Sequence, residues 1–189
     1  MDWFEKYKDK LGIRYDTFQR LFSLASDRGL KNIVETGTSR GKDKFYYLKP
    51  KINWKDGMST ILFAEYTQVN KGKLWTCDID ATNIRNASIF LKDLNLSANL
   101  IVSDSLKFLS DFNETIDILY LDSHDGNLPG ANEHQLKEAQ ISIDKINSNG
   151  LIMLDDKGQK TELSIPFLTQ SGWEIVFETK QQVIFQKTT

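Results

Sequence analysis

Cysteine occurs once in this 189-residue sequence, at Cys77, so no internal disulfide can form. Histidine occurs twice, and neither His124 nor His134 is near Cys77 in the chain, so the clustered ligands of a structural zinc site are missing. No apolar run approaches the roughly 18 residues that cross a bilayer. The opening "MDWFEKYKDKLG" alternates charged and apolar residues where a signal peptide carries an apolar core. Lysine and arginine form no dense block, and with a net charge of −2 and a pI near 5.7 nothing marks a phosphate-tracking stripe. These absences predict a cytoplasmic protein with neither membrane nor nucleic acid as partner. With 40% apolar residues the chain can bury one full core, and a single domain over 1–189 is expected.

What is present is an alternation of two periodicities. "YDTFQRLFSLASDRG" sets Phe18, Leu21, Phe22 and Leu24 at helical spacing, with Gly29 as a stop signal, in a helical N-terminal segment of about 1–30. "NIVET", "KLWTCDI", "ANLIVSD", "IDILYLD" and "GLIMLDD" are near-continuous apolar runs that suit strands covered on both faces. Helical patterns lie between them: "STILFAEYTQVN", "NIRNASIFLKDL", "SLKFLSDF" and "NEHQLKEAQISIDKIN". This rhythm predicts an α/β fold, a doubly wound and mostly parallel sheet with helices on both sides. At the end, "WEIVFET" and "QQVIFQK" are too close for a crossover helix and predict an antiparallel hairpin. Cys77 falls in the second strand as a core residue.

The first strand breaks into "TGTSRGK", a turn open to three readings: triphosphate, dinucleotide or nucleoside. A P-loop needs one more residue between Gly37 and Gly41 and a hydroxyl after Lys42, where Asp43 stands. The dinucleotide fingerprint fails because Thr36, Thr38 and Ser39 occupy glycine positions. What remains is Glu35, two residues before Gly37, able to accept a hydrogen bond from an ammonium or a water. Asp78, at the end of the second strand, is placed to accept both hydroxyls of a ribose. Its distance from the turn exceeds the usual roughly 20 residues unless "KDKFYYLKPKINWKDG", about 42–57, is an insertion between the turn and its helix. Ser59 or Thr60 would then cap that helix, and either Gly41 or Gly57 would allow close approach to a ligand. Phe45, Tyr46, Tyr47 and Trp54 in the insertion are candidates for a lid, with ordinary loop packing as the competing role.

Glu35-x-Gly37, Asp78, Asp104-Ser105 and Asp122, at the ends of four successive strands, resemble class I S-adenosylmethionine-dependent methyltransferases, and the terminal hairpin resembles the ending of their seven-stranded, Rossmann-like sheet. "DILYLDSHDG" followed by "NGLIMLDDKG" is most similar to small-molecule O-methyltransferases of the catechol and macrocin type. The resemblance implies S-adenosylmethionine as cofactor. It places Glu35, Gly37 and Thr38 at the methionine moiety, with Ser39, Gly41, Gly57 and Ser59 in the surrounding loop. Asp78 would face the ribose, Ile79 the adenine face, and Asp104 with Ser105 the adenine edge. It also implies a divalent cation on Asp122, Asp155 and Asp156, for which an all-oxygen ligand set selects Mg2+, Ca2+ or Mn2+ over zinc. Such an ion would acidify a bound substrate hydroxyl and fix its direction. The alternative for Asp155 and Asp156 is strand termination and capping.

Two departures stand out. The insertion is unusual for the class, and the lysine that catechol-type enzymes carry shortly after the strand-four acid is replaced by Asp125. His124 is then the candidate for taking the acceptor's proton, with Asp122, also counted among the cofactor-binding residues, as the second catalytic candidate, while His134, in a predicted helix, reads as a solvated surface residue. The expected activity is methyl transfer to a small hydroxylated acceptor. A catalytically silent nucleoside-binding protein and a nicotinamide-dependent oxidoreductase are the alternatives, and a homodimer is compatible with the class.

Overall fold

In the computed structural model, residues 2–42 and 49–188 are described. Phe45, Tyr46 and Tyr47 therefore lie outside the described residues. The chain opens with two four-residue helices, α1 (Asp2–Glu5) and α2 (Lys8–Leu11), then a 3-10 turn (Gly12–Arg14) and α3 (Tyr15–Asp27). There follow β1 (Asn32–Thr36), α4 (Ser59–Asn70), β2 (Lys73–Asp78), α5 (Ala81–Asp93), β3 (Asn99–Val102), α6 (Ser105–Asp111) and β4 (Ile116–Leu121). The chain continues through α7 (Ala131–Ser142), β5 (Ile146–Leu154), α8 (Ser164–Gln170), β6 (Trp173–Glu178) and β7 (Val183–Lys187). The seven strands lie in the order β3-β2-β1-β4-β5-β7-β6. β1 to β5 pair in parallel, and β7 runs antiparallel to both β5 and β6. This is the Rossmann-like methyltransferase sheet with its antiparallel C-terminal hairpin.

Side chains alternate across the pleat, so each central strand feeds two cores. Ile33, Ile118, Tyr120 and Met153 face α3 and α4, where Phe18, Phe22, Phe63 and Tyr66 pack around them. Val34, Leu119, Leu121 and Ile152 face α6, α7 and α8, with Phe108, Leu109, Ala139 and Leu168. Cys77 is fully buried on this second side. The near-continuous apolar runs follow from this two-sided burial.

Three features differ from the sequence pattern. β5 begins at Ile146, inside the stretch whose polar residues read as helix. Ser142 Oγ donates to the Glu138 carbonyl (2.6 Å), competing for an acceptor of α7, and Asp117 Oδ1 accepts from Asn147 Nδ2 (3.1 Å), which draws the next residues to the sheet. A register irregularity between Ile116 and Ile118 absorbs the polar "NSN". Helix α8, interrupted in sequence by Pro166, had no periodic signal over its seven residues. Helix α4 is not capped by Ser59 or Thr60. Its N-cap is Met58, in the left-handed region at φ 46°, and Ser39 from the β1 turn supplies the acceptor instead: Thr60 N donates to Ser39 Oγ at 3.2 Å.

The insertion thus leaves the turn and its helix in contact. Lys42 and Lys51 pair as an antiparallel bridge that closes the excursion. Trp54 returns to pack on Tyr7, with ring centroids 5.1 Å apart. Gly37, at φ +82°, has no room for a side chain: a Cβ there would stand 2.2 Å from the Asp122 carbonyl oxygen. Gly37→Ala should destabilise the fold by at least about 2 kcal/mol in urea unfolding, because backbone must move as well as strain; an unchanged midpoint would contradict the close approach.

Candidate active site

The carboxyl ends of the parallel strands meet along one edge, and every strand-end acid expected from the sequence is there. The β1 turn is knitted first. Gly37 N donates to the Cys77 carbonyl (2.9 Å), Thr38 N to Asp78 Oδ2 (3.3 Å) and Ser39 N to Thr60 Oγ1 (2.8 Å). Thr60 Oγ1 in turn donates to Glu35 Oε2 (2.7 Å). Glu35 is fully buried beneath this turn, so it supports the loop from below and lies behind the cavity wall. Burial raises its pKa to about 7, against the opposing pull of the Ser59, Thr76 and Thr60 hydroxyls.

At the end of β2, Asp78 Oδ1 accepts from Asp80 N (2.8 Å) and Oδ2 from Asn83 Nδ2 (3.1 Å). Asp80 caps α5, and Ile79 stands 74% exposed over the cleft. After β3, Asp104 caps α6 through Lys107 N (3.1 Å). Ser105 Oγ lies 2.8 Å from Nε2 of His134. His134 is therefore drawn into the site by α7, contrary to its reading as a surface residue. Glu138, buried one helical turn on, raises the His134 pKa and accepts from Ser123 Oγ (2.7 Å). The His134 ring lies 5.2 Å from that of His124.

Three adjoining cavities follow the sheet edge. The first, 270 Å³, is bounded by Asp78, Ile79, Asp104, Ser105, His124 and His134. The second, 290 Å³, is bounded by Thr38, Ser39, Ser59, Asn83, Asp122 and Leu128, and shares Gly37, Asp78 and His124 with the first. The third, 610 Å³, is walled by Arg14, Arg40, Asp122, Asp155, Asp156 and Lys160. Asp122 borders both the second and the third. His124 borders the first two and not the third, and Gly41 and Gly57 border none of the three. A Cβ on Gly41 would meet the Phe90 ring at 2.4 Å, and one on Gly57 would touch the Arg14 side chain at 3.6 Å, so both glycines serve packing and turn geometry.

The acids of β4 and β5 converge. Asp122 N donates to the Thr36 carbonyl (3.0 Å) and Asp155 N to the Leu121 carbonyl (3.3 Å), which prolongs the ladder to the last acid. Consecutive residues of a strand point to opposite sides. Asp156 escapes this by adopting φ 54°, and it joins Asp155 at the third cavity. Among the described residues two cations meet these acids, neither indicated by any motif. Lys160 Nζ, on a side chain only 1% exposed, lies 2.8 Å from Asp122 Oδ1 and 3.5 Å from Asp156 Oδ2. Arg14 Nη2 lies 3.6 Å from Asp155 Oδ2 and 4.0 Å from Asp156 Oδ1. Burial and the neighbouring Asp155 push the Asp122 pKa well up, with Lys160 opposing. A lysine thus reaches the strand-four acid, from the segment after β5.

The metal expectation can be weighed on this geometry. One oxygen from each of Asp122, Asp155 and Asp156 lies within 4.8 Å of the others, a spacing and donor type that suit a hard cation. The charge does not fit. Lys160 and Arg14 already engage the three carboxylates, and a dication bound to Asp122 would crowd a buried ammonium.

A family model described as a methyltransferase domain matches residues 54–157. Among solved structures, a methyltransferase of Podospora anserina bound to S-adenosylhomocysteine aligns with a TM-score of 0.67 at 14% identity, over 100% of this chain and 86% of that one. The O-methyltransferase TomG of Streptomyces achromogenes, in complex with S-adenosylmethionine, aligns with a TM-score of 0.62 at 16% identity, covering 95% and 82%. An rRNA methylase of Streptococcus thermophilus aligns with a TM-score of 0.63 at 14% identity, covering 94% and 97%. At these identities the structural likeness establishes the fold. Curated protein sequences give no match.

The buried Glu35 yields a pH prediction. The folded state holds its proton up to about pH 7 while the unfolded chain releases it near the ordinary value of 4.5, so this group's contribution favours folding at low pH and is lost as pH rises across that interval. Glu35→Gln should remove this slope, a difference on the order of 3 kcal/mol between the two ends of the window. Urea unfolding of wild type and variant from acid to neutral pH measures it, and parallel stability curves would contradict the shift.

Proposed function

Because the chain belongs to the methyltransferase-domain family, its model matching residues 54–157, we propose that it acts, as one domain, as an S-adenosylmethionine-dependent methyltransferase on a small hydroxylated acceptor. The observation that carries this reading is the position of Asp122 on both the second and the third cavity, where a donor on one side and an acceptor on the other would meet. The donor set fits the cofactor: acids ring the first two cavities, and an apolar side chain, Ile79, overhangs them. S-adenosylmethionine, when bound, supplies an electrophilic methyl on a positively charged sulfur.

Each residue then has a task. Asp78 accepts the ribose hydroxyls, and Ile79 covers one face of the purine while Ser105 and His134 meet its edge. Gly37, Thr38 and Ser39 form the wall beside the methionine moiety. Glu35 keeps that wall in place through Thr60. Asp122, with Oδ1 held by Lys160, presents its other oxygen to the acceptor hydroxyl and takes its proton. The carboxylate is the form that takes the proton, and the Lys160 ammonium favours that form. His124 borders the donor cavities alone, which favours Asp122 over it as the proton acceptor. Holding donor and acceptor on either side of one carboxylate supplies the near-attack geometry an in-line displacement needs.

Small acceptors are favoured by the third cavity, whose 610 Å³ lies within the roughly 300–1,000 Å³ range of small-molecule sites. Its wall alternates acids and bases, where an RNA-modifying surface calls for a basic face.

Asp78→Ala should weaken S-adenosylhomocysteine binding at least tenfold by isothermal titration, since a charged acceptor to a buried hydroxyl contributes about 1.5–3 kcal/mol. Equal affinity would remove the ribose assignment. In a screen of hydroxylated acceptors monitored by S-adenosylhomocysteine release, Asp122→Asn should lower kcat by about 10²-fold or more while leaving donor affinity nearly intact. His124→Ala should chiefly raise KM for the donor. The reverse pattern would transfer the proton to His124, and absence of turnover with every acceptor, including RNA, would favour the silent binder.

A further inference from the structure

The disagreement between the spacing of the acid triad and its charge has a structural resolution. Resting on the methyltransferase reading above, we propose that Lys160 and Arg14 are the resident cations of this cluster, so that the acceptor is held at Asp122, Asp155 and Asp156 without a divalent metal. Three arguments support it. First, the cations engage all three carboxylates, Lys160 across Asp122 and Asp156 and Arg14 across Asp155 and Asp156. Even with all three carboxylates ionised, two positive charges leave no more than a single net negative charge, weak attraction for a dication that must also shed water.

Second, Lys160 is built in. Its side chain is 1% exposed, and swinging it aside would strand an ammonium away from its carboxylates in the protein interior. It is held in a turn in which Gly158 N donates to Thr161 Oγ1 at 3.1 Å. Arg14 is fixed from the other side: its Nη1 reaches the Lys55 carbonyl at 3.5 Å, and its stem packs beside Gly57. The N-terminal segment and the returning end of the insertion thereby hold one cation, and the turn after β5 holds the other.

Third, the cluster holds one buried acceptor and one buried donor without a partner. Asp155 is 97% buried, and its Oδ1 has no hydrogen-bond partner among the described residues; the same holds for the buried Arg14 Nε. Both residues border the third cavity. A neutral, hydroxyl-rich acceptor suits a cluster whose charges are already paired, whereas an anionic one meets its net negative charge.

The test reads ion binding separately from catalysis. Protein stripped with chelator is titrated with Mn2+ up to about 1 mM, the weak end of protein affinities for such cations, and bound ion is followed by electron paramagnetic resonance and by thermal unfolding. Wild type should bind no ion at the cluster and show no shift in Tm. Lys160→Met, which keeps the chain volume and removes the charge, should gain Mn2+ binding by at least tenfold, and adding Asp155→Asn should abolish the gain. A wild-type protein that binds one Mn2+ lost on Asp155→Asn overturns the proposal, as does a folded Lys160→Met that acquires none. If Lys160→Met fails to fold, the wild-type titration still decides. Calorimetry with S-adenosylhomocysteine in excess chelator is run alongside: its failure would count against the donor site, while the manganese result would still judge the cations.

Discussion

Carboxylates brought together at the carboxyl edge of a parallel sheet must be compensated, and the rest of the site follows from how this chain does it. Asp122 and Asp155 are placed by backbone bonds that prolong the β1-β4-β5 ladder, so their approach is a consequence of sheet register. Their mutual repulsion is met by Lys160 and Arg14. Removing either cation would leave a buried charge uncompensated, which is costlier than the pair is stabilising.

A second acid, Glu35, solves the same problem differently. Among the described residues it has no cation beside it. Burial drives it toward the neutral form, and the hydroxyl of Thr60 ties it to the start of α4. That tie, with Ser39 capping the helix across the chain, lets an insertion intervene between a nucleoside turn and its helix without parting them. The local geometry expected of a continuous strand–turn–helix unit is rebuilt from residues on either side of the excursion.

Much of the fold was legible in the sequence. β1, β2 and β4 lie where apolar runs ended in acids, and α4 coincides with "STILFAEYTQVN". The differences came where local signals compete with tertiary bonds: the polar start of β5, drawn to the sheet by Asp117, and the cap of α4, supplied from the β1 turn. In the site, Asp78, Asp104, Ser105 and Asp122 border the cleft as their strand-end positions implied. Gly41 and Gly57 do not, because a glycine's φ reveals a turn and not what the turn faces. His134 does border the cleft: a polar residue on a helix reads as solvated along the chain, whereas in space Ser105 meets it from the opposing loop.

By itself the sequence determined the doubly wound sheet, its closing hairpin and the row of acids along one edge, because side-chain period and strand termini are properties of neighbouring residues. Only the tertiary structure decided which cations meet those acids, that Asp122 stands between the second and third cavities, and that His134 joins His124 at the cleft. Lys160 comes from a turn after β5 and Arg14 from the end of a short 3-10 turn, positions with no periodic signature. Electrostatic partnership depends on distance in space, and no pattern along the chain records it.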